Sequence, residues 1–228
     1  MASGKGETAG VGRGEAMRAH LKATARRLFA LHGIDTVSVR DIVLAAKSRN
    51  AGAVAYYFTT KEQLVLDIVI DGAKTIEARR DRMLDALEAR GRPVTVRDIL
   101  EILVRSSLDL EPSDEADHTY VRFFAAVRGS AQAPFIEALD RAWDMGTRRC
   151  MDHIRRLTPD CPPPLMDQRL LFLRNLVIGV LAARELALDG EAPDRDILTS
   201  PSLVQNLVDA AQGLLGQPPS AEALRPRP

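Results

Sequence analysis

Between Val37 and Leu64 the chain reads VSVRDIVLAAKSRNAGAVAYYFTTKEQL, a stretch whose side chains suit a polyanion. In residues 37–61, Arg40, Lys47, Arg49 and Lys61 stand against one acid, Asp41. Arg49 could donate a bidentate pair to guanine or bind a phosphate, because a guanidinium presents its donors as a planar fork. Asn50 could read adenine through its amide, and it also stands where a helix N-cap belongs. Ala51, Gly52, Ala53 and Ala55 leave a slim face that allows close approach to a groove and contact with thymine methyls. Gly52 alternatively only loosens that helix, by about 1 kcal/mol relative to Ala. Tyr56, Tyr57, Thr59, Thr60 and Lys61 are spaced to contact phosphates, helped by the positive end of a following helix. Thr60 serves equally well as a cap. Ser38 and Asp41 form an S-x-x-D capping pattern, so Ser38 is a cap first. Lys22 and Arg26 are expected to add to a general positive face.

Other candidate chemistry is sparse. Cys150 and His153 lie at i, i+3 and could make half of a metal site, but no second pair has ligand spacing. The acidic run Asp114, Glu115, Asp117 and His118 could hold a divalent cation or be a solvated loop. No phosphate-binding glycine loop, G-x-S-x-G or H-E-x-x-H is present. An enzyme is not expected, nor a metal or cofactor.

The elements that must position these side chains read as helices. Aromatics are 4% of the 228 residues, which disfavours strands. Met17, Leu21, Ala25, Leu28 and Phe29 make one helical stripe, which Gly33 stops. Short helices follow at about Val39–Ala46 and Ala51–Phe58, with Ile42, Val43, Ala46, Val54 and Phe58 spaced to pack beneath the pair. Thr60 and Gln63 open a long helix to about Ala89. Further helices are expected at about 95–110, 118–129, 134–158, 164–189 and 201–215, separated by Pro and Gly. The total is about nine, so the fold is all-α.

Charge divides the chain. Residues 1–62 carry ten Lys or Arg against five acids, a net of +5, which leaves −5 for the rest. A basic small domain on an acidic larger one suggests a polyanion at one end. The expected organisation is a disordered arm (1–14), a helix-turn-helix domain (15–62), a larger helical domain (63–216) and a flexible tail (217–228). Two cysteines, no apolar leader in residues 1–15 and no run long enough for a membrane point to a reduced cytoplasmic setting.

Two short helices joined by a turn near Lys47 and Ser48 form the helix-turn-helix pattern, in which one helix braces another against the major groove. From about Ala16 to Leu64 the sequence resembles the tetracycline-repressor (TetR) family of regulators. LKATARRLFALHGIDTVSVRDI is similar to that family's first helix, glycine turn and second helix, and YYFTTKEQL to its Y-H-F-x-[ST]-K-E-x-L ending. Arg49–Asn50–Ala51 with Ala53, Val54 and Tyr56 resembles a subgroup whose recognition helix reads R-N-x-x-A-V-x-Y-H-F. Ala55 stands where many members carry Tyr, Tyr57 where many carry a phosphate-contacting His, and Lys47–Ser48 where Ala-Gly is frequent.

The resemblance implies a ligand-responsive regulator that binds double-stranded DNA at a palindromic operator as a homodimer, most simply a repressor released by an effector. The last two long helices would pair with their copies through Leu170, Leu173, Val177, Val180, Leu181, Leu203, Leu207 and Leu214. The helices between would enclose a pocket for a hydrophobic or amphipathic molecule, lined by Leu103, Phe123, Phe124, Val127, Trp143, Met151 and Phe172. Two alternatives are a helical protein-binding adaptor that has lost DNA affinity and a small helical enzyme. The same docking would serve activation as well as repression.

Overall fold

A computed structural model describes residues 5–47, 52–108, 119–130, 132–142, 145–190 and 192–225. Among these, eleven helices and no strand occur: α1 (Lys5–His32), α2 (Val39–Ala45), α3 (Ala53–Phe58), α4 (Lys61–Glu88), α5 (Val96–Arg105), α6 (Tyr120–Gly129), α7 (Ala133–Ala142), α8 (Met145–Leu157), α9 (Pro163–Leu188), α10 (Arg195–Leu198) and α11 (Leu203–Gly216). Helix starts carry the side chains that backbone amides require. Ser38 and Asp41 complete a capping box on α2, and Thr95 and Asp98 do the same on α5. Thr60 accepts the Gln63 N–H at the start of α4. Gly33 ends α1 at φ +81, a conformation that costs glycine little.

Ile42, Val43, Ala46, Val54 and Phe58 all enter one buried cluster with Leu21, Ala25 and Phe29 of α1. That cluster does not stop at the small domain. It continues through Leu64, Ile68 and Ile76 of α4 into Phe123, Phe124 and Val127 of α6 and Phe135 of α7. A second cluster joins Leu84 and Leu87 at the far end of α4 to α5, α8, α9 and α11. Helix α4 is therefore a strut with one end in each core. Gly72, midway along it, is a helix-weakening residue with a packing reason. A Cβ there would lie 2.7 Å from the Tyr120 ring and 2.8 Å from the Phe124 ring.

Three expectations need correction. Helix α1 begins at Lys5, so residues 5–14 are helical rather than a disordered arm. Packing at Leu21, Ala25 and Phe29 anchors this helix, and further turns add to an existing nucleus. The single helix expected at 134–158 is two, α7 and α8. The first amides of α8 find an outside acceptor: Glu77 of α4 takes the Thr147 N–H at 3.0 Å and its hydroxyl at 2.5 Å. The third addition is α10, a four-residue turn within the Pro- and Asp-rich connection. These two changes raise nine helices to eleven.

Candidate nucleic-acid interface and internal cavity

Helices α2 and α3 lie at the surface with a dry inner side and a wet outer one. Val54 and Phe58 are 1% exposed and Tyr56 is 80% exposed, so α3 turns Ala55 and Tyr56 outward. The Tyr56 and Tyr57 rings meet edge-on at 4.9 Å. Arg40 and Lys47 are exposed on and just after α2. Lys47 leaves that helix at φ +49, the left-handed region where glycine rests more easily. Helices α3 and α4 are joined by a tight positive-φ turn. Thr59 has φ 60 and ψ −52, and the Thr60 N–H donates to the Phe58 carbonyl at 2.5 Å. A β-branched residue pays for this conformation with about 1–3 kcal/mol of strain. The turn sets the N-terminus of α4, with its first-turn amides, beside the outer face of α3.

Several expected contacts have structural duties as well. Ser38 Oγ accepts the Asp41 N–H at 3.2 Å and donates to the Asp41 carboxylate at 2.6 Å, so it is a cap. That pairing also holds the Asp41 carboxyl below its ordinary proton affinity. Thr60 is likewise a cap. Lys61 sits with Nζ 5.9 Å from the Phe29 ring centroid, half-buried at the head of α4. Arg49, Asn50, Ala51 and Ser48 lie outside the described residues, as does the side chain of Ala53.

Lys22 and Arg26 do not form a general positive face. Lys22 pairs with Asp71 at 2.5 Å and Asp67 at 3.7 Å, and Arg18 also pairs with Asp67, which clamps α1 to α4. Arg26 is 3% exposed. Its guanidinium stacks on Tyr120 and its Nε donates to Thr119. It lies on the α1 side that faces α6, away from solvent.

Between α4, α5, α7, α8 and α9 lies a cavity of about 450 Å³, open to solvent on one side. Arg80 of α4, Leu103 and Ser107 of α5, Asp140 of α7, Thr147, Met151 and Arg155 of α8, and Asp167, Leu170, Leu171, Leu173, Arg174, Val177 and Ile178 of α9 border it. Its volume is within the ~300–1,000 Å³ usual for small-molecule sites. Of the residues expected to line it, Leu103 and Met151 do. Phe123, Phe124 and Val127 do not. They face α1 and α4, with Phe29 and Phe123 ring centroids 6.2 Å apart, because α6 gives its apolar side to the first core. Phe172 is 53% exposed on the outer side of α9. Trp143 lies outside the described residues, as does the acidic run 114–118.

The expected pairing surface shifts for the same reason. Leu173, Leu181 and Leu207 are at most 5% exposed within one copy, so they cannot meet another. Leu170 and Val177 border the cavity. Val180, Leu203 and Leu214 are half-buried. Leu171 stands at the cavity rim, while the outward face of α9 carries Phe172, Asn175 and Gly179, and that of α11 Asn206, Ala210 and Gly213.

Two polar clusters that sequence reasoning missed tie the parts together. Glu185 of α9 accepts the Val121 N–H at 3.0 Å and the Arg122 N–H at 2.8 Å, capping α6 from outside. Burial pushes its carboxyl up to about 7, against the pull of those amides and of Arg122 and Arg26. Glu77 and Arg80 pair at 2.8 Å beneath α8. Cys150 and His153 have different surroundings. Burial pushes the Cys150 thiol up to about 12, while His153 pairs with Glu88 at 3.0 Å. No group of three metal-ligating side chains occurs among the described residues.

A helix-turn-helix with an exposed second helix, carried on a larger helical body with an internal cavity, is the architecture of a DNA-binding regulator. Residues 21–68 match the family described as bacterial regulatory proteins, tetR family, and residues 101–213 match the tetracyclin repressor-like C-terminal domain. The chain belongs to the tetR family, whose members are regulators and not enzymes. No curated protein matches it. Among solved structures, a protein assigned to the TetR-family transcriptional regulators, from Rhodococcus sp., is similar in fold. It is 16% identical, with a TM-score of 0.55 over 88% of this chain and 97% of that one. No helix of the described residues is long and apolar enough to cross a membrane.

Proposed function

We propose that the protein is a cytoplasmic transcriptional repressor that binds a palindromic duplex as a homodimer and leaves it when a hydrophobic or amphipathic effector enters the cavity. The observation that carries the reading is the two-sided α3: Val54 and Phe58 fix it to the core while Tyr56 and Ala55 face outward beside the α4 N-terminus. A short helix held in this way can enter a major groove with its flanks on phosphate. Arg49, Asn50, Ala51 and Ala53 are the proposed base-reading side chains. Arg40, Tyr56, Tyr57, Thr60 and Lys61 are the proposed backbone contacts, with Ser38 contributing after its capping role. The basic outer side argues against an adaptor that has lost DNA.

One short helix reads only a few base pairs, so a two-fold pair is needed for a specific site. The outward faces of α9 and α11 are the proposed seam, where Gly179, Ala210 and Gly213 allow close helix approach and Phe172 supplies apolar area. Communication between cavity and DNA would pass along α4, whose cavity residue Arg80 lies about 28 Å from Lys61 at 1.5 Å rise per residue. A ligand preferring one α4 position shifts the spacing of the paired α3 helices away from the ~34–36 Å of successive grooves. Selection of bound duplexes from a random library tests this reading. A recovered site with two-fold symmetry supports it, and recovery of no common sequence contradicts it.

A further inference from the structure

The cavity wall is mostly apolar, yet three arginines border it: Arg80, Arg155 and Arg174. Two are matched by acids of their own. Arg80 donates to Glu77 at 2.8 Å, and Arg155 to Asp167 at 3.1 Å. Arg174 has no carboxylate to itself among the described residues. Its Nη1 stands 3.8 Å from Asp140, and Arg128 already holds that carboxylate at 2.6 Å. Two guanidiniums thus share one acid, which leaves a local excess of positive charge. The Nε atoms of both Arg128 and Arg174 are buried without an acceptor in the described structure, and buried donors are normally paired. Burial, with Arg128 nearby, lowers the proton affinity of the Arg174 guanidinium, the direction expected of a cation short of a counter-charge.

We infer that the cavity takes an amphipathic carboxylate, with the carboxylate on Arg174 and the apolar body against Leu103, Met151, Leu170 and Val177. The inference rests on reading the cavity as the effector site, and it adds the charge of the head group. A cationic ligand would meet three arginines and only two acids, Asp140 and Asp167, both already engaged by arginines. A neutral one would leave the Arg174–Asp140–Arg128 group as it stands, with one acid for two bases. A carboxylate accepts bidentately from a guanidinium, the strongest pairing open to it. Lining residues on α9 run from Asp167 to Ile178, a length of about 16 Å at 1.5 Å rise per residue, which suits an elongated apolar body.

The test is calorimetric titration of the full-length protein with three ligands that share one body and differ in head group: decanoate, decanol and decylamine. Decanoate is expected to bind at least tenfold more tightly than decanol, with decylamine weakest. This comparison needs no variant, so it stands whether or not any substitution folds. Arg174→Gln should abolish the preference for decanoate while changing decanol affinity less than twofold, and Asp140→Asn, which removes the competing acid, should tighten decanoate. Equal affinity for decanoate and decanol, or an equal loss of both in Arg174→Gln, overturns the carboxylate assignment. Leu103→Trp, which fills the cavity, separates the two readings. If it removes decanol binding from a protein that shows no carboxylate preference, the cavity stands as a site and only the charge assignment falls. If decanoate binding survives Leu103→Trp, or no member of the series binds, both fall.

Discussion

Arg26, on α1, holds its guanidinium carbon 3.7 Å from the centroid of the Tyr120 ring at the head of α6. The contact is buried, and its second half is the 3.1 Å bond from Arg26 Nε to Thr119. It joins α1, against which α2 packs, to α6, which Glu185 caps from α9. Desolvated cation–π contacts are worth about 2 kcal/mol, and a buried hydroxyl left without its partner costs about 1–3 kcal/mol. Arg26→Ala should therefore lower unfolding free energy by about 2–4 kcal/mol in urea denaturation. Arg26→Lys should recover only part of this, because an ammonium cannot stack as a plane.

Gly72 makes a second claim on the same junction. With Tyr120 and Phe124 rings 2.7 and 2.8 Å from where a Cβ would lie, Gly72→Ala must displace these packed rings. The usual gain of about 1 kcal/mol for Gly→Ala within a helix should be reversed, for a net loss of about 1–3 kcal/mol by overpacking. Thermal unfolding of the two proteins measures this. A variant more stable than the parent would show that α6 is not seated against Gly72.

The pH dependence has a definite sign at Glu185. Burial raises its folded proton affinity from the ordinary 4.5 to about 7, so the folded state holds a proton that the unfolded chain releases. Its contribution to stability is present in full below about 4.5 and is lost as pH rises through 7, a change on the order of 3 kcal/mol. Unfolding measured from pH 5 to 8 should show this fall in the parent protein, and Glu185→Gln should flatten it. An unchanged slope in the variant would show that Glu185 is ionised throughout.

Much of this arrangement is legible in the sequence, because short-range rules govern it. Ser38–Asp41 and Thr60–Gln63 announce helix starts, and Ile42, Val43, Ala46, Val54 and Phe58 announce one buried face by spacing alone. What spacing does not reveal is which neighbour an apolar or charged face meets. Phe123, Phe124 and Val127 look the same whether they line a cavity or meet α1, and Arg26 looks like any basic helix residue until Tyr120 stands over it. Leu173, Leu181 and Leu207 share a helical period with a dimer seam because core and seam use the same side chains. The Thr147 N–H near the start of α8 is accepted by Glu77, seventy positions earlier, which no local pattern encodes.

Lys61 and Arg49 separate grip from reading. Lys61, at the head of α4, should weaken all duplexes alike when changed to Ala and reduce the salt slope by about 1. Arg49→Ala should instead reduce discrimination at one base position by about 1–3 kcal/mol. Binding measured on the selected site and on single-base variants of it distinguishes the two. A uniform loss for Arg49→Ala would make that residue a phosphate clamp.

The most direct measurement is fluorescence anisotropy of a labelled duplex, bearing the selected site, titrated with the protein from about 50 to 200 mM salt. The account predicts a dissociation constant of about 10⁻⁸–10⁻¹¹ M near physiological salt, two subunits per site, and a steep linear fall of log affinity with log salt. A chain that attracts no duplex at the lowest salt, or that binds with no dependence on salt, would contradict the placement of α3 and the head of α4 on DNA.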